Sequence, residues 1–218
     1  MKIFFTGHKG SIGAILTEKL MKDHTVCGFD IKDGKDMTIE ENLFNALQAS
    51  EADVVIHCAA IPSPKGKNSI PSFEKFWITN VIGTKNVVLS ALKLKIKKLV
   101  YFSSGSVYGW DDYPEGEIEQ YATSKRIAEE IVRWGAGQGI CSSILRLAPV
   151  GAGPSEQFFF ATVAHDAIHK FVLEAINNTK WLSIYNVSES EHLGKVPSWK
   201  VGEISDEFIK CSNYSSIN

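Results

Sequence analysis

Three glycines near the start of the chain constrain its fold more than any other feature. Gly7, Gly10 and Gly13 follow a short apolar run over residues 3–6 and open a segment with helical spacing over 11–22. Gly7 allows a tight turn, Gly10 lets the backbone approach a ligand without a Cβ in the way, and Gly13 lets helix and strand pack closely. The free amide groups at such a helix start favour a bound phosphate. The sequence therefore predicts a strand–turn–helix unit that holds the pyrophosphate of a dinucleotide.

An acidic residue ends the next candidate strand. Asp30 follows the apolar run over residues 25–29, and a carboxylate at this point accepts hydrogen bonds from the adenosine ribose hydroxyls and repels a 2′-phosphate. NAD is therefore the predicted cofactor, although Lys32 lies nearby and could soften the discrimination against NADP. The alternative for Asp30 is a solvated turn residue.

Apolar runs alternate with amphipathic segments through the first two thirds of the chain. The candidate strands are residues 3–6, 25–29, 53–57, 99–103 and 141–147, and the helices between them are residues 11–22, 40–49, 72–94 and 118–134. This alternation predicts an α/β fold of Rossmann type, with a doubly wound parallel sheet and helices on both faces. It weakens after residue 150, although residues 181–187 could form a last strand. We expect an NAD-binding Rossmann domain over 1–150 and a small, shortened C-terminal substrate cap over 151–218, packed on the first domain.

A tyrosine and a lysine in the candidate helix 118–134 suggest proton transfer. Tyr121 and Lys125 occupy positions i and i+4, so their side chains share one face. A nearby ammonium stabilises a phenolate and lowers the pKa of a tyrosine from its usual value near ~10. Tyr121 could then exchange a proton with a substrate hydroxyl while a hydride moves to or from a nicotinamide. The alternative is an ordinary pair on the surface of a helix.

Serines follow the fourth candidate strand at the sheet edge where open α/β folds bind ligands. The Ser104 hydroxyl could hydrogen-bond the reacting oxygen, and Ser106 is a plausible second contact. A serine-rich turn is also ordinary, and the combination with the preceding pair is what favours catalysis. The predicted catalytic residues are Ser104, Tyr121 and Lys125, and the predicted substrate contacts are Ser104, Ser106 and Tyr121.

Several ordered motifs resemble the extended short-chain dehydrogenase/reductases, in particular the NAD-dependent epimerase/dehydratase family acting on sugars. They comprise the glycine spacing of residues 7–13, the pair Asp36-Met37, and residues 55–60, 80–87, 102–109 and 121–125. The resemblance covers about residues 1–150. It implies that Asp36 and Met37 meet the adenine, that a small-residue turn follows the third strand beside the cofactor, and that Lys125 holds the nicotinamide ribose. The full predicted cofactor-binding set is Gly7, Lys9, Gly10, Ser11, Ile12, Gly13, Asp30, Asp36, Met37, Cys58, Ala59, Ala60, Asn80, Ser103, Tyr121 and Lys125.

The chain departs from this family's pattern after the fifth strand. Residues 146–151 lack the asparagine that the family has there, and the segment beyond residue 150 is short for its substrate-binding part. Nucleotide-sugar members use the longer segment to hold the nucleotide diphosphate. A short C-terminal segment is found in members similar to uronate dehydrogenases, which oxidise free sugar acids, and residues 164–171 and 192–197 resemble that group.

Three functions remain open from the sequence. The resemblance implies an NAD-dependent epimerase/dehydratase-family oxidoreductase that acts on a sugar or nucleotide sugar by Tyr-mediated proton transfer and hydride transfer to NAD, with no net NADH. The alternative is a simple NAD-dependent dehydrogenase of a free sugar, uronate or small alcohol, which accumulates NADH. A non-catalytic dinucleotide-sensing protein is the third, and such a protein would often have lost the tyrosine or the lysine.

Composition narrows the partners. The net charge of −2 does not favour a nucleic-acid or anionic-membrane surface, and no stretch approaches the ~18 apolar residues needed to span a bilayer. The four cysteines are dispersed, which favours free thiols and a cytoplasmic location. His165 and His169 have a spacing that can bind metal, but no third ligand suggests itself, so no metal site is predicted.

A homodimer is a possible assembly. Members of the resembled family often dimerise through the long helix and the tyrosine-bearing helix. Phe73, Phe76 and Trp77 could supply the apolar surface for such an interface, or could equally belong to the core.

Overall fold

The computed structural model describes residues 1–62, 71–108, 117–148, 150 and 163–187. The strands in these ranges are β1 (Lys2–Thr6), β2 (Thr25–Phe29), β3 (Val54–His57), β4 (Lys98–Ser104), β5 (Cys141–Leu147) and β6 (Leu182–Val187). They form one parallel sheet in the order β2-β1-β3-β4-β5-β6. The doubly wound α/β fold predicted from the alternation is confirmed.

The helices that connect the strands pack on both faces of this sheet. They are α1 (Ser11–Leu20), α2 (Glu40–Ser50), α3 (Phe73–Phe76), α4 (Gly83–Lys93), α5 (Glu117–Gly137) and α6 (His165–Asn177). Short 3₁₀ turns cover Ile31–Asp33 and Gly105–Tyr108, and a π-helix covers Trp77–Ile82. The helix predicted over 72–94 is therefore three consecutive segments, with a π-helix between two α-helices.

Alternate residues of each strand supply two separate cores. Phe4 and Val55 point to the face covered by α2, α4 and α5, whereas Phe5 and Ile56 point to the face covered by α1 and α6. Both faces are buried, as expected for a parallel sheet whose crossover helices alternate between its sides. This sandwich fixes the carboxyl ends of the strands at one edge.

The strand order reverses between β1 and β3, which makes this the switch point where open α/β sheets bind ligands. Thr6 and His57 are register partners there, and the Thr6 Oγ1 lies 2.7 Å from His57 Nδ1. The other ring nitrogen lies 2.9 Å from the Thr84 Oγ1. Burial, followed by repulsion from Lys125, lowers the pKa of His57 to about 3, so the ring is neutral. His57 is a satisfied structural histidine beneath the switch point.

The last strand extends the same sheet, and the last helix packs on one of its faces. β6 pairs with β5 along its length, and α6 contributes Ile168 and Val172 to the core on the α1 side. The predicted boundary at residue 150 therefore does not separate the sheet from a cap, because residues 163–187 complete the sheet. The rest of the predicted cap, residues 151–162 and 188–218, lies outside the described residues.

The proposed dimer residues fall into two environments. Phe76 is fully buried, whereas Phe73 and Trp77 are 43% and 40% exposed. The thiols of Cys27, Cys58 and Cys141 are free. None of the helices in the described ranges is long and apolar enough to cross a membrane.

Candidate active site and cofactor cleft

The glycine turn joins β1 to α1 in the conformation that a pyrophosphate-binding loop requires. Gly7 has a φ of +78°, and a Cβ there would lie 2.6 Å from the Ala59 amide nitrogen. A Cβ on Gly13 would overlap the carbonyl oxygen of Gly7. Gly10 N donates to that same oxygen at 3.0 Å. Gly7 and Gly13 are therefore required by close approaches of backbone to backbone, whereas a Cβ on Gly10 would lie 3.2 Å from the Gly7 oxygen.

The start of α1 is open to an anion. Among the described residues no side chain caps this helix, and no acidic residue lies in its first turn. Ala14 N donates to Gly10 O at 2.9 Å, while the amides of Ser11, Ile12 and Gly13 precede any intrahelical acceptor. Backbone donors and the positive end of the helix dipole fit the pyrophosphate of a dinucleotide.

Asp30 joins the glycine turn to the end of β2. Its side chain is 6% exposed, and its two oxygens accept hydrogen bonds from Lys9 N and Lys32 N, both at 2.9 Å. Each carboxylate oxygen keeps a second lone pair, so contact with ribose hydroxyls remains chemically possible. The Lys32 ammonium donates to Lys9 O at 2.7 Å, and the Lys9 ammonium pairs with Asp33.

The pair Asp36-Met37 is fixed against α4. Asp36 Oδ1 accepts hydrogen bonds from Thr38 N and Thr38 Oγ1, both at 2.8 Å. Met37 is 5% exposed and lies against Gly83, where a Cβ would come within 2.7 Å of its Cε. Their contact with adenine remains a prediction, and the structure shows Met37 as part of the core.

Small residues follow β3 directly beside the glycine turn. Cys58, Ala59 and Ala60 are half-buried, and Cys58 N donates to Thr6 O at 3.1 Å. Burial raises the pKa of the Cys58 thiol to about 12. This turn therefore presents neutral groups next to the glycines, an arrangement that fits the predicted cofactor cleft.

The Asn80 amide is bonded to two other parts of the chain. Its side chain is fully buried, its Oδ1 accepts from Ile61 N at 2.8 Å, and its Nδ2 donates to Ile61 O at 3.2 Å and to Ser124 Oγ at 3.0 Å. Ser124 Oγ in turn donates to Tyr121 O at 2.7 Å. Asn80 therefore ties the loop after β3 to α5, and its contact with the cofactor stays a prediction.

Ser103 and Ser104 have separate roles at the end of β4. Ser103 is 5% exposed and donates to Glu129 Oε1 of α5 at 2.6 Å, and its contact with the cofactor stays a prediction. Ser104 is half-buried, and its Oγ accepts from Ser106 N at 3.2 Å and from Ser106 Oγ at 3.0 Å. Ser104 and Ser106 thus lie together at the sheet edge, and their contact with a substrate stays a prediction.

Tyr121 meets Ser104 at this edge. Its ring packs against Phe76, with the centroids 6.0 Å apart. Burial raises the pKa of Tyr121 to about 12, and a hydrogen bond with Ser104 opposes that rise. The expectation that Lys125 lowers this pKa is wrong for this state of the chain, because burial outweighs the neighbouring groups and Lys125 is not among those that lower it.

Lys125 lies between α5 and β4 rather than on the phenol. Its side chain is 3% exposed, and its Nζ donates to Phe102 O at 2.5 Å and lies 4.5 Å from the centre of the Tyr101 ring. Burial lowers the pKa of Lys125 to about 8, against opposing contributions from Cys58 and Glu129. The ammonium therefore remains the main form at neutral pH, close beneath the edge where Ser104 and Tyr121 meet.

The sequence reasoning missed a buried carboxylate behind these residues. Glu129 is 3% exposed, and the Arg146 guanidinium donates to both of its oxygens, Nε to Oε1 at 3.0 Å and Nη2 to Oε2 at 2.7 Å. Two features of the sequence could have indicated this pair: Glu129 lies at i+4 from Lys125, and Arg146 lies within the apolar strand β5. An acid on a helix otherwise suggests a solvent-exposed residue.

The comparisons with known proteins agree with this geometry. The model of the NAD dependent epimerase/dehydratase family matches residues 3–187. A solved structure of Thermus thermophilus UDP-glucose 4-epimerase in complex with NAD is similar with a TM-score of 0.72 and 20% identity, covering 94% of this chain and 84% of that one. At that identity the likeness shows the fold.

Curated relatives share part of the chain. Sterol-4-alpha-carboxylate 3-dehydrogenase (decarboxylating) of Saccharomyces cerevisiae is 37% identical over 129 residues, which is 54% of this chain and 35% of the relative. GDP-6-deoxy-D-talose 4-dehydrogenase of Aggregatibacter actinomycetemcomitans is 29% identical over 145 residues, which is 61% of this chain and 47% of the relative. The chain thus spans less than half the length of either relative.

The family match covers nearly all of the described residues and includes β6, the strand beyond the predicted domain boundary. It confirms the predictions of NAD as the cofactor and of an enzyme family of this kind. On these grounds the chain belongs to the NAD dependent epimerase/dehydratase family.

Proposed function

We propose that this protein is an NAD-dependent oxidoreductase that interconverts a hydroxyl and a carbonyl group on a sugar or nucleotide sugar. The observation that carries the proposal is the closeness of Tyr121 on α5 to Ser104 at the carboxyl end of β4, where the Ser104 hydroxyl lowers the pKa of the phenol against the rise caused by burial. Lys125 lies beneath them, and the glycine turn opens at the same edge of the sheet. The acid–base groups and the glycine turn therefore lie at the same edge of the sheet.

Tyr121 is the proposed acid–base residue. With a pKa of about 12, its phenol is protonated at neutral pH and can donate a proton to a carbonyl oxygen in the reduction direction. In the oxidation direction the phenol must first release that proton to solvent, and the phenolate then accepts the proton of the substrate hydroxyl. The Ser104 hydroxyl is the neighbour that opposes the raised pKa, so it assists that step and also fits the reacting oxygen.

Lys125 supplies a positive charge beneath the site. Its ammonium is buried and protonated at neutral pH, because its pKa is about 8. An ammonium at this place suits the nicotinamide ribose hydroxyls as hydrogen-bond partners. Bound NAD supplies the hydride acceptor, and the amides at the start of α1 would hold its pyrophosphate.

The test is turnover with NAD and a panel of free sugars, uronates and sugar nucleotides. We expect Tyr121→Phe to lower kcat at least about 100-fold and Ser104→Ala to lower it substantially, because each removes a group at the reacting oxygen. Tyr185→Phe is the matched control, since Tyr185 packs against Phe171 in the α6–β6 unit. If Tyr121→Phe turns over like the wild type, the proposal is wrong.

A simple dehydrogenase is the second candidate, and the names of the relatives favour it. Both curated relatives described above are dehydrogenases, so the panel includes a sterol 4α-carboxylate beside the sugars. NADH that accumulates in proportion to product indicates a dehydrogenase. An isomerised or dehydrated sugar that forms without NADH indicates an epimerase or dehydratase.

A further inference from the structure

We infer that Glu129 is a positioning residue: its carboxylate holds the helix that carries Tyr121 and Lys125 against the strand that ends in Ser104. The inference rests on the proposed function, because it assigns Glu129 a task in the reaction of those three residues. Glu129 does not itself reach the cleft. It acts through the groups beside it.

The carboxylate links three elements. Ser103 of β4 donates to Oε1 at 2.6 Å, and Arg146 of β5 donates to Oε1 at 3.0 Å and to Oε2 at 2.7 Å. Ser103 and Arg146 are register partners on the two neighbouring strands. One carboxylate from α5 therefore fixes the helix to both strands, directly beside Ser104.

Glu129 also shares a helix face with the catalytic pair. It lies at i+4 from Lys125 and at i+8 from Tyr121, so all three side chains point inward from α5. Ser103, the residue before Ser104, donates its hydroxyl to Glu129. A shift or rotation of α5 at Glu129 would therefore change the distance between Tyr121 and Ser104.

Energetics favour a role in position over a role in stability. A buried carboxylate must be fully paired, and apolar residues of similar volume often stabilise a fold at least as well as an ion pair. A bidentate arginine adds strict geometry. Because this ion pair is buried and bidentate, it specifies one placement of α5 on the sheet, which is what a proton-transfer pair requires.

The charge of Glu129 reaches Lys125 as well. The titratable groups that face Lys125 are His57 at the end of β3, Cys58 just after it, Tyr101 of β4 and Glu129 of α5, with Arg146 of β5 behind Glu129. Glu129 raises the pKa of Lys125, against the lowering by burial. Loss of this negative charge would therefore favour loss of the Lys125 proton.

The experiment compares Glu129→Gln with a matched control on the same helix. Glu130→Gln removes an exposed carboxylate that pairs only at 3.3 Å with Arg133. We expect Glu129→Gln to lower kcat about 10- to 100-fold, with a smaller change in KM, and to move the alkaline limb of the kcat profile to lower pH. Glu130→Gln should leave kcat and the alkaline limb unchanged. Ser103→Ala, which removes one hydrogen bond and keeps the charge, should lower kcat less and leave the limb in place.

A titration separates this inference from the proposed function. If the wild type turns over no substrate on the panel, the proposed function has failed, and the Lys125 ammonium is followed instead by NMR of protein labelled at lysine Cε, with Lys125→Arg to assign the signal. The Lys125 ammonium should then titrate at lower pH in Glu129→Gln than in the wild type or in Glu130→Gln. The inference is overturned if that titration is unmoved, or if kcat falls only in proportion to the folded fraction.

Discussion

Replacing Lys125 by methionine tests whether the buried ammonium destabilises the folded chain. The pKa of Lys125 falls from 10.5 to about 8 on folding, and each unit is worth about 1.4 kcal/mol. The folded state therefore binds the proton less tightly than the unfolded state does. At pH 7, where both states are protonated, the charge costs the fold about 3 kcal/mol.

The pH dependence has a defined sign. Between pH 8 and 10.5 the unfolded chain holds more protons than the folded chain, so the free energy of unfolding rises with pH through this window and the penalty is fully present below it. For the wild type this predicts a gain of about 1 kcal/mol between pH 7 and pH 9. The slope is a cleaner measure than the difference at pH 7, because the methionine variant also loses the bond to Phe102 O.

Urea unfolding at pH 7 and pH 9, without NAD, measures this slope. We expect the wild type and Lys97→Met, which removes an exposed lysine, to gain stability over that interval, and Lys125→Met to lack the gain. Tyr121→Phe should keep the gain, because Tyr121 titrates at higher pH. A wild type whose free energy of unfolding is flat from pH 7 to pH 9 would refute the reasoning.

Three further predictions follow from single contacts. Gly13→Ala should abolish NADH binding in a fluorescence titration, because the added Cβ would overlap the Gly7 oxygen. Gly137→Ala adds a Cβ in open space and should bind NADH normally, so equal affinities of the two variants would contradict the turn geometry. The wild type should lose about 2 kcal/mol of unfolding free energy from pH 7 to pH 5, because His57 takes up a proton near pH 6.5 in the unfolded chain and only near pH 3 in the folded chain. His57→Gln should lose less stability over this interval, and an equal loss in the two proteins would contradict the role given to His57. If the exposed face of Phe73, Trp77 and Ile78 forms a homodimer, Trp77→Glu should give a monomer by light scattering. The control Trp181→Glu changes a residue beside β6 that is 57% exposed, and it should leave the dimer intact. A wild-type monomer would exclude this interface.

Local pattern was sufficient to predict the sheet and the glycine turn. Buried strands such as Val54–His57 are short apolar runs bounded by turns, and the spacing of Gly7, Gly10 and Gly13 encodes its own backbone contacts. The weak point was residue 150, where the alternation faded although α6 and β6 continue the sheet. The signal there was only one helix and one strand long.

Side-chain direction was harder to predict than position. Asn80 and Ser103 lie where the motifs placed them, yet their side chains bond Ser124 and Glu129 on α5. Lys125 shares the face of Tyr121, but its ammonium reaches the carbonyl of Phe102 on β4. These partners depend on how α5 packs against the sheet, and no spacing within one segment contains that information.

The π-helix at Trp77–Ile82 has a consequence for which sequence changes the long helix can accept. It holds Asn80 against Ser124, while Phe76, just before it, packs on Tyr121. Each residue turns an α-helix by about 100°, so deleting one residue here would restore regular α-helical bonding and rotate Phe76 away from the phenol ring. Conservative substitutions in this segment would leave the phase of the helix intact. Length, more than side-chain identity, is therefore the property of this segment that variation should preserve.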